Sequence, residues 1–272
     1  MKRRRAGFVR IADCGQLATT AALAGLLVAD SALAALPLAT FSAKSPAEAI
    51  NAVLGTSQTE LDDAVHLTVP ELVEVADYVP VSVDTTLDNV KSITIVSDQN
   101  PNPIIANFEL DSRLVPYVST RVRLAEAGAL HALVKAGDSV HRATKNVAVT
   151  IGGCGDPEEG TESRPPAKIP SDNILLRARR DDDGVVIRTL ITHPMNPPLA
   201  NAPTGRNPDS GQFIQEVTAQ VNGKEVLRGD WSAGVSQNPY LSFKIQDVRT
   251  GDVIRIRWVD NQGMSGTSDI EI

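Results

Sequence analysis

The sequence predicts an all-β protein built of two β-sandwiches, and three observations support this fold class. Val, Ile, Thr and Ala dominate the patterned positions while aromatic residues make up 4% of the chain, a composition that favours strands. Short segments of alternating hydrophobicity recur about every 8–12 residues with turn residues between them, which is the spacing of a sandwich. A proline-rich, charged stretch at residues 155–173 separates two such series.

Residues 1–34 are typical of an export signal. A basic start is followed by an uncharged apolar run at residues 17–29 and by Ala32-Leu33-Ala34, the small-x-small pattern that precedes cleavage before Ala35. The apolar run is too short to span a bilayer comfortably, so we expect no membrane anchor. Paired arginines followed by Phe8 favour the twin-arginine route; ordinary secretion is the alternative, because the spacing differs by one residue from the usual pattern. We expect a periplasmic protein.

The charge balance excludes one class of partner. The full chain carries 26 basic and 33 acidic side chains, a formal net charge of -7. Residues 1–34 hold five Lys or Arg and two Asp, so their removal leaves 21 basic and 31 acidic side chains, a net charge of -10. A surface this acidic repels polyanions, and the sequence therefore argues against nucleic-acid binding.

Cys154 is the one cysteine expected in the mature chain. Cys14 precedes the apolar run of the leader, the wrong side for a lipid attachment site, so cleavage removes it. An exported protein with a single thiol cannot form an internal disulfide, and an odd cysteine there points to a reactive or partner-directed thiol. An inert, leftover thiol is the alternative.

The first half begins with a short helix and continues as strands. Ser45-Pro46-Ala47-Glu48 is a capping-box start with proline at the first helical position, and Gly55 ends the helix that we predict at residues 46–54. Turn residues then separate alternating segments, notably around Pro101 and Gly137. These segments predict strands at residues 66–69, 79–83, 90–96, 104–110, 118–124, 129–134 and 143–151.

The last of these strands leads directly into Cys154. Apolar residues alternate along it up to Ile151, as they do on one face of a strand. Gly152, Gly153 and Gly155 then surround the cysteine, and glycine places few restrictions on the backbone. We therefore expect a stiff strand that ends in a flexible arm carrying an exposed thiol.

Residues 155–173 are a linker by composition. They contain four prolines and several charged residues, and Ile169 is their one large apolar side chain. Nothing in this stretch can offset the entropy lost on ordering, so we expect a disordered linker. The predicted organisation is a signal peptide at 1–34, a first sandwich at 35–154, the linker at 155–173 and a second sandwich at 174–272.

The second half is again all-β. Asn222-Gly223 predicts a type I′ hairpin turn, because that turn needs positive φ at both central positions. Residues 196–211, rich in Pro, Asn and Gly, predict a long exposed loop. Alternating segments predict strands at residues 174–179, 185–192, 213–221, 224–227, 241–245, 253–259 and 268–272.

Both halves resemble known families. The first is similar to SoxY, the sulfur-carrying subunit of the thiosulfate-oxidising Sox system, in Asn100-Pro101-Asn102-Pro103, Val118-Ser119-Thr120-Arg121, Leu133-Val134-Lys135-Ala136-Gly137 and Thr150-Ile151-Gly152-Gly153-Cys154-Gly155. The second is similar to its partner SoxZ in His193-Pro194-Met195, Phe213-Ile214-Gln215-Glu216-Val217, Val221-Asn222-Gly223, Asn238-Pro239-Tyr240-Leu241-Ser242-Phe243 and Trp258-Val259-Asp260-Asn261. These motifs occur in the expected order over residues 60–155 and 174–272, so the chain resembles a SoxY–SoxZ fusion.

The resemblance implies two immunoglobulin-like sandwiches packed on each other, forming a carrier without turnover of its own. In the family, the cysteine at the position of Cys154 holds sulfur intermediates covalently, as a thiosulfonate or persulfide adduct. Its periplasmic partners are a haem cytochrome that attaches thiosulfate, a manganese hydrolase that releases sulfate and a sulfane dehydrogenase. We therefore expect no cofactor or resident metal, a sulfur adduct on Cys154, and a flexible arm formed by Gly152, Gly153 and Gly155.

Two features depart from the SoxY pattern. The family motif ends its chain, whereas here Asp156 and more than a hundred further residues follow Gly155. Cys154 must therefore enter a partner as the tip of a loop, unless the linker is cut after Gly155. Asp156, Glu158 and Glu159 also disfavour the thiolate, so we expect a thiol pKa at or above about 8.5, which alkylation rates measured against pH test.

Fused SoxY–SoxZ-like chains are also known as a group associated with quinoprotein dehydrogenases. The alternative function is thus an accessory binding module of a periplasmic quinoprotein dehydrogenase, with no sulfur cargo. Cys154→Ser separates the two hypotheses, because it abolishes a carrier and leaves an accessory module intact.

Other chemistries fit the sequence less well. His193 and Met195 are possible copper ligands, but Pro194 between them favours the end of a strand, and the four histidines share no metal-site spacing. A cysteine–histidine hydrolase needs a rigidly held nucleophile, which a glycine arm does not provide. We expect Trp231 and Trp258 in the sandwich cores.

Overall fold

The computed structural model describes residues 33, 35–36, 38–56, 58–150, 173–197 and 211–272. Within them the first half contains helix α1 (Pro46–Leu54), with the bounds predicted from sequence. The Glu48 N–H donates to Ser45 Oγ (3.3 Å), and Gly55 ends the helix with a φ of 72°. No described helix is long and apolar enough to span a membrane.

The described part of the chain otherwise forms sixteen strands, most of them where alternation predicts them. In the first half these are β1 (Glu60–Leu61), β2 (Val65–Thr68), β3 (Leu72–Val73), β4 (Val79–Thr85), β5 (Val90–Ser97), β6 (Ile104–Leu110), β7 (Leu114–Val122), β8 (Gly128–Ala136) and β9 (Ser139–Val149). In the second half they are β10 (Ile174–Asp181), β11 (Gly184–Ile191), β12 (Ile214–Val221), β13 (Lys224–Trp231), β14 (Tyr240–Ile245), β15 (Val253–Asp260) and β16 (Ser265–Glu271). The Asn222-Gly223 turn has φ values of 53° and 83°, as a type I′ hairpin requires.

The strands form two sheets, and each sheet runs through both halves of the chain. Sheet A has the order β1-β9-β8-β5-β6-β13-β12-β15-β16, with the short strand β3 also paired to β9. Sheet B has the order β10-β11-β14-β7-β4-β2. The two predicted sandwiches are therefore confirmed, and they are joined edge to edge into one continuous double layer.

We call the two places where the halves meet the junction. It consists of the antiparallel pair β6–β13 in sheet A and the antiparallel pair β7–β14 in sheet B. Phe108 and Trp231, at most 1% exposed, meet edge to face across it with ring centroids 6.5 Å apart. Gly229 allows this approach, because a Cβ there would lie 2.8 Å from Val217 Cγ1 and 2.9 Å from the Trp231 Nε1. One hydrophobic core thus includes residues of both halves.

The start of the described chain covers the outer face of sheet A. Helix α1 packs Ile50 and Leu54 on Val96, Leu133 and Val140, forming a small second core outside the sandwich. Leu36 reaches the junction, where its N–H donates to Asp230 Oδ2 (3.0 Å). The first residues after the predicted leader are therefore part of the folded body.

Candidate functional site

The predicted carrier residue and its arm lie outside the described residues. This applies to Gly152, Gly153, Cys154 and Gly155, and to the linker that follows them. What the structure describes is the point from which the arm leaves, at the end of β9 and Thr150. We call Ala148, Val149 and Thr150 the arm root.

Backbone hydrogen bonds to β3 hold the arm root. Strand β3 pairs parallel with β9, so that Leu72 lies opposite Ala148 and Val73 opposite Val149. The Ala148 N–H donates to the Glu71 carbonyl oxygen (2.8 Å), and the Thr150 N–H donates to the Val73 carbonyl oxygen (3.1 Å). Val147, one position earlier, is 2% exposed in the core, whereas Ala148 and Thr150 are exposed. The chain thus leaves the sandwich within a few residues of a buried anchor.

The surface beside the arm root is apolar and acidic. Leu72, Val75 and Tyr78 are 60%, 57% and 44% exposed, unusually high for such side chains. Glu71 and Glu74 are exposed between them. This surface adds negative charge of the same sign as the acidic residues that follow Cys154 in the sequence.

The segment after β3 contacts the second half of the chain. Tyr78 Oη donates to Gln237 Oε1 (3.0 Å), which belongs to the second half. Arg123 donates from Nε to Asp77 Oδ1 (2.9 Å) and from a terminal nitrogen to the Met195 carbonyl oxygen (3.2 Å). A partner that docks beside the arm root therefore meets residues fixed by both halves.

The histidine and methionine considered for copper have structural roles. The Met195 N–H donates to His193 Nδ1 (3.1 Å), and Met195 Sδ accepts from the Ile214 N–H (3.2 Å). His193 Nε2 faces Asp260 Oδ2 at 3.4 Å, and both of these side chains are fully buried. Burial lowers the pKa of His193, which favours the neutral ring that this pattern requires.

The remaining histidines have separate partners. His66 contacts Asp84 (2.8 Å), His141 contacts Asp62 (2.7 Å) and His131 contacts Thr144 (2.9 Å). Among the described residues, no group of three or more His, Cys, Asp or Glu side chains is placed to hold a metal ion. Trp231 and Trp258 lie in the core at 1% exposure, as predicted.

Sequence reasoning missed strand β3 and the exposed apolar residues beside the arm root. Leu72 and Val73 follow Pro70 and make a strand of two residues, too short for alternation to reveal. The apolar residues Leu72, Val73 and Val75 were the available signal, but such a run does not distinguish exposed from buried positions. Parallel pairing with β9 decides which of them face water.

Comparison with known proteins gives two family matches in succession. The chain matches the family described as "Sulfur oxidation protein SoxY" over residues 50–154 and the one described as "Sulphur oxidation protein SoxZ" over residues 174–271. A comparison with curated proteins found no match.

Among solved structures, the sulfur carrier protein SoxY from Chlorobium limicola f thiosulfatophilum is 33% identical, with a TM-score of 0.37; the match covers 41% of this chain and 96% of that chain. The BSP domain of a biofilm associated protein is 11% identical (TM-score 0.26), over 83% of this chain and 31% of that chain. A marsupial T cell receptor is 11% identical (TM-score 0.25), over 78% of this chain and 63% of that chain.

Proposed function

Because the chain belongs to the SoxY and SoxZ families, joined in one polypeptide, we propose that it is a periplasmic sulfur carrier that holds its cargo covalently on Cys154. The observation on which this rests is that the SoxY match ends at residue 154, the cysteine itself. The carrier has no turnover of its own and presents the bound sulfur to partner enzymes.

The proposed loading step joins Cys154 Sγ to the sulfane sulfur of thiosulfate. The thiol S–H bond breaks, its proton goes to solvent, and formation of the new S–S bond releases two electrons that a haem cytochrome partner accepts. Water then attacks the sulfone sulfur on a hydrolase, which releases sulfate and leaves a persulfide on Cys154. A dehydrogenase partner oxidises the outer sulfur with water as the oxygen source and accepts the electrons.

The geometry of the arm root supports this role. Val147 is buried and Thr150, the last described residue before the arm, is exposed. Cys154 follows Thr150 by four positions, a distance of about 13 Å at full extension. A glycine-rich segment of that length reaches into a partner cleft while β9 stays in its sheet. The thiol's acidic sequence neighbours disfavour the thiolate, so activation falls to the partner's site.

The position of Cys154 inside the chain sets a requirement on the partners. Because the SoxZ domain follows, the arm enters a partner as a loop with two chain segments side by side, unless the linker is cut after Gly155. We therefore expect partners with an open cleft. A quinoprotein dehydrogenase system is the alternative context, in which the same fold binds an enzyme and Cys154 carries nothing.

Intact-mass measurement of the protein from its native periplasm tests the proposal. We expect an added mass on wild-type protein that reductant removes, and no such mass on the Cys154→Ser variant. We also expect the Cys154→Ser variant to lose sulfur oxidation while its unfolding midpoint stays unchanged. An unmodified thiol under all growth conditions, together with full activity of Cys154→Ser, would instead support the accessory module.

A further inference from the structure

A cluster of carboxylates lies on the outer face of sheet A at the junction. Glu109 on β6 lies opposite Arg228 on β13, and Asp230 lies opposite Asn107. Arg228 contacts Glu216 on β12 and approaches Asp230, with Nε 3.5 Å from Oδ1. The charged groups that face one another from the packed strands are Glu109, Lys135, Glu216, Glu225, Arg228, Asp230 and Arg257.

This cluster contains more negative charge than its cations neutralise. Asp230 is 5% exposed, and Glu225 Oε1 is buried without a hydrogen-bond partner among the described residues. Burial raises the pKa of Asp230, Glu225 and Glu109, since it penalises their charged forms. Arg228 is the cation beside Asp230, but it is shared, because it also contacts Glu216, and Glu225 has no ion pair among the described residues.

The chain's own start already lies on this cluster. The Leu36 N–H donates to Asp230 Oδ2 (3.0 Å), and the Leu33 backbone lies near the Glu225 carboxylate. Ala35 lies between these two contacts and is exposed. Successive backbone nitrogens are less than about 3.8 Å apart, so the Ala35 nitrogen lies within roughly 7 Å of the Asp230 carboxylate.

We propose that removal of the leader supplies a further cation beside Arg228, and that the α-ammonium group of Ala35 docks on Asp230 and Glu225. The proposal rests on the proposed export and on cleavage before Ala35. Hydrolysis of the Ala34–Ala35 amide bond consumes one water and leaves a carboxylate on Ala34 and an ammonium group on Ala35. The mature amino terminus then fastens the SoxY half to β13 of the SoxZ half.

The docked ammonium makes stability depend on pH in a defined direction. An α-amino group that gains carboxylate partners on folding has a raised pKa in the folded protein. Its stabilising contribution is fully present below the unfolded value, about 7.7–8.0, and is lost as the pH rises through the folded value. Acetylation of the amino group removes the contribution at every pH.

The test uses the full mature chain, produced with Ala35 as its first residue, with its α-amino group free or acetylated by a coexpressed acetyltransferase. We expect acetylation to lower the ratio of folded to unfolded protein about 5- to 30-fold at pH 7. A change of this size is a large fraction of the stability of a typical domain. The difference should disappear at alkaline pH. Edman sequencing of the periplasmic protein should begin at Ala35.

Substitution of the carboxylates separates docking from a general effect of acetylation. In the double variant Glu225→Gln/Asp230→Asn we expect acetylation to change the ratio of folded to unfolded protein less than about 2-fold. The matched control is Asp84→Asn on sheet B, paired with His66 away from the cluster, where the full effect should remain. Should the double variant fail to fold, an NMR titration of Ala35 in wild-type protein decides: a pKa above about 8.5 supports docking.

Three results would overturn the proposal: a periplasmic protein that begins at another residue, an unshifted α-amino pKa, or equal effects of acetylation in wild-type and double-variant protein. A Cys154→Ser chain should give the wild-type result in every measurement. Failure of the sulfur-carrier hypothesis therefore leaves this test unaffected.

Discussion

The junction and the arm root are both made by strand pairing, yet they differ in almost every physical respect. The junction pairs two central strands in each sheet, buries Phe108 and Trp231, and lies inside the shared core. The arm root pairs β9 with a strand of two residues at the edge of sheet A, and its last residues are exposed. Hydrophobic burial contributes most to the stability of the junction, whereas backbone hydrogen bonds contribute most at the arm root.

The junction and the arm root are expected to differ in how readily they open. Central strands with large buried side chains open only when the domain unfolds, while edges with few buried contacts open at low cost. The two halves are thus expected to behave as one rigid body.

The largest expected effect is the loss of the aromatic contact at the junction. Trp231→Ala should lower the free energy of unfolding by about 3–5 kcal/mol, because it leaves a cavity in the shared core. Trp231→Phe should cost less, since it keeps an aromatic ring against Phe108. Leu72→Ala at the arm root, 60% exposed, should change stability by no more than about 0.5 kcal/mol. Urea unfolding measures all three, and equal effects for Trp231→Ala and Leu72→Ala would break the comparison.

A smaller effect is expected from removing one hydrogen bond at the arm root. Thr150→Pro lacks the N–H that donates to Val73, at a cost of about 1 kcal/mol that is confined to the edge. Hydrogen exchange at the Ala148 amide should accelerate while exchange in β6 stays slow. Thr150→Ala is the matched control, because it keeps the N–H and, like the proline variant, lacks the hydroxyl that lies 3.4 Å from the Val73 carbonyl oxygen. Unchanged exchange at Ala148 in the proline variant would show that β3 does not hold the arm root.

The smallest expected effect is that of cutting the linker. A protease site in place of residues 160–165, cleaved after folding, should leave the two halves together on size exclusion at micromolar concentration. The reason is that the β6–β13 and β7–β14 pairs, and the core between the sheets, are unaffected by the cut. Separation of the two fragments would show that the linker, and not the junction, holds the halves in one body.

Much of the local structure is predictable, and the exceptions lie at the arm root, where β3 was missed, and at the junction. Helix α1 has its predicted bounds because Ser45 and Gly55 are strong end signals. Strand β13 was predicted to end at Leu227, but it continues to Trp231. The missed residues are those that pair with β6, where Gly229 and the buried Asp230 interrupt the alternation.

The sequence by itself determined most of the strands, the hairpin turn at Asn222-Gly223, the position of Cys154 in the chain and the two families. These depend on local periodicity, on backbone preferences and on motifs contiguous along the chain. Only the tertiary structure decided that the halves share both sheets, that β3 holds the arm root and that Leu36 donates to Asp230. Pairing of this kind joins backbone groups distant in sequence, and every strand edge offers the same donors and acceptors, so side-chain patterns do not specify which edges meet.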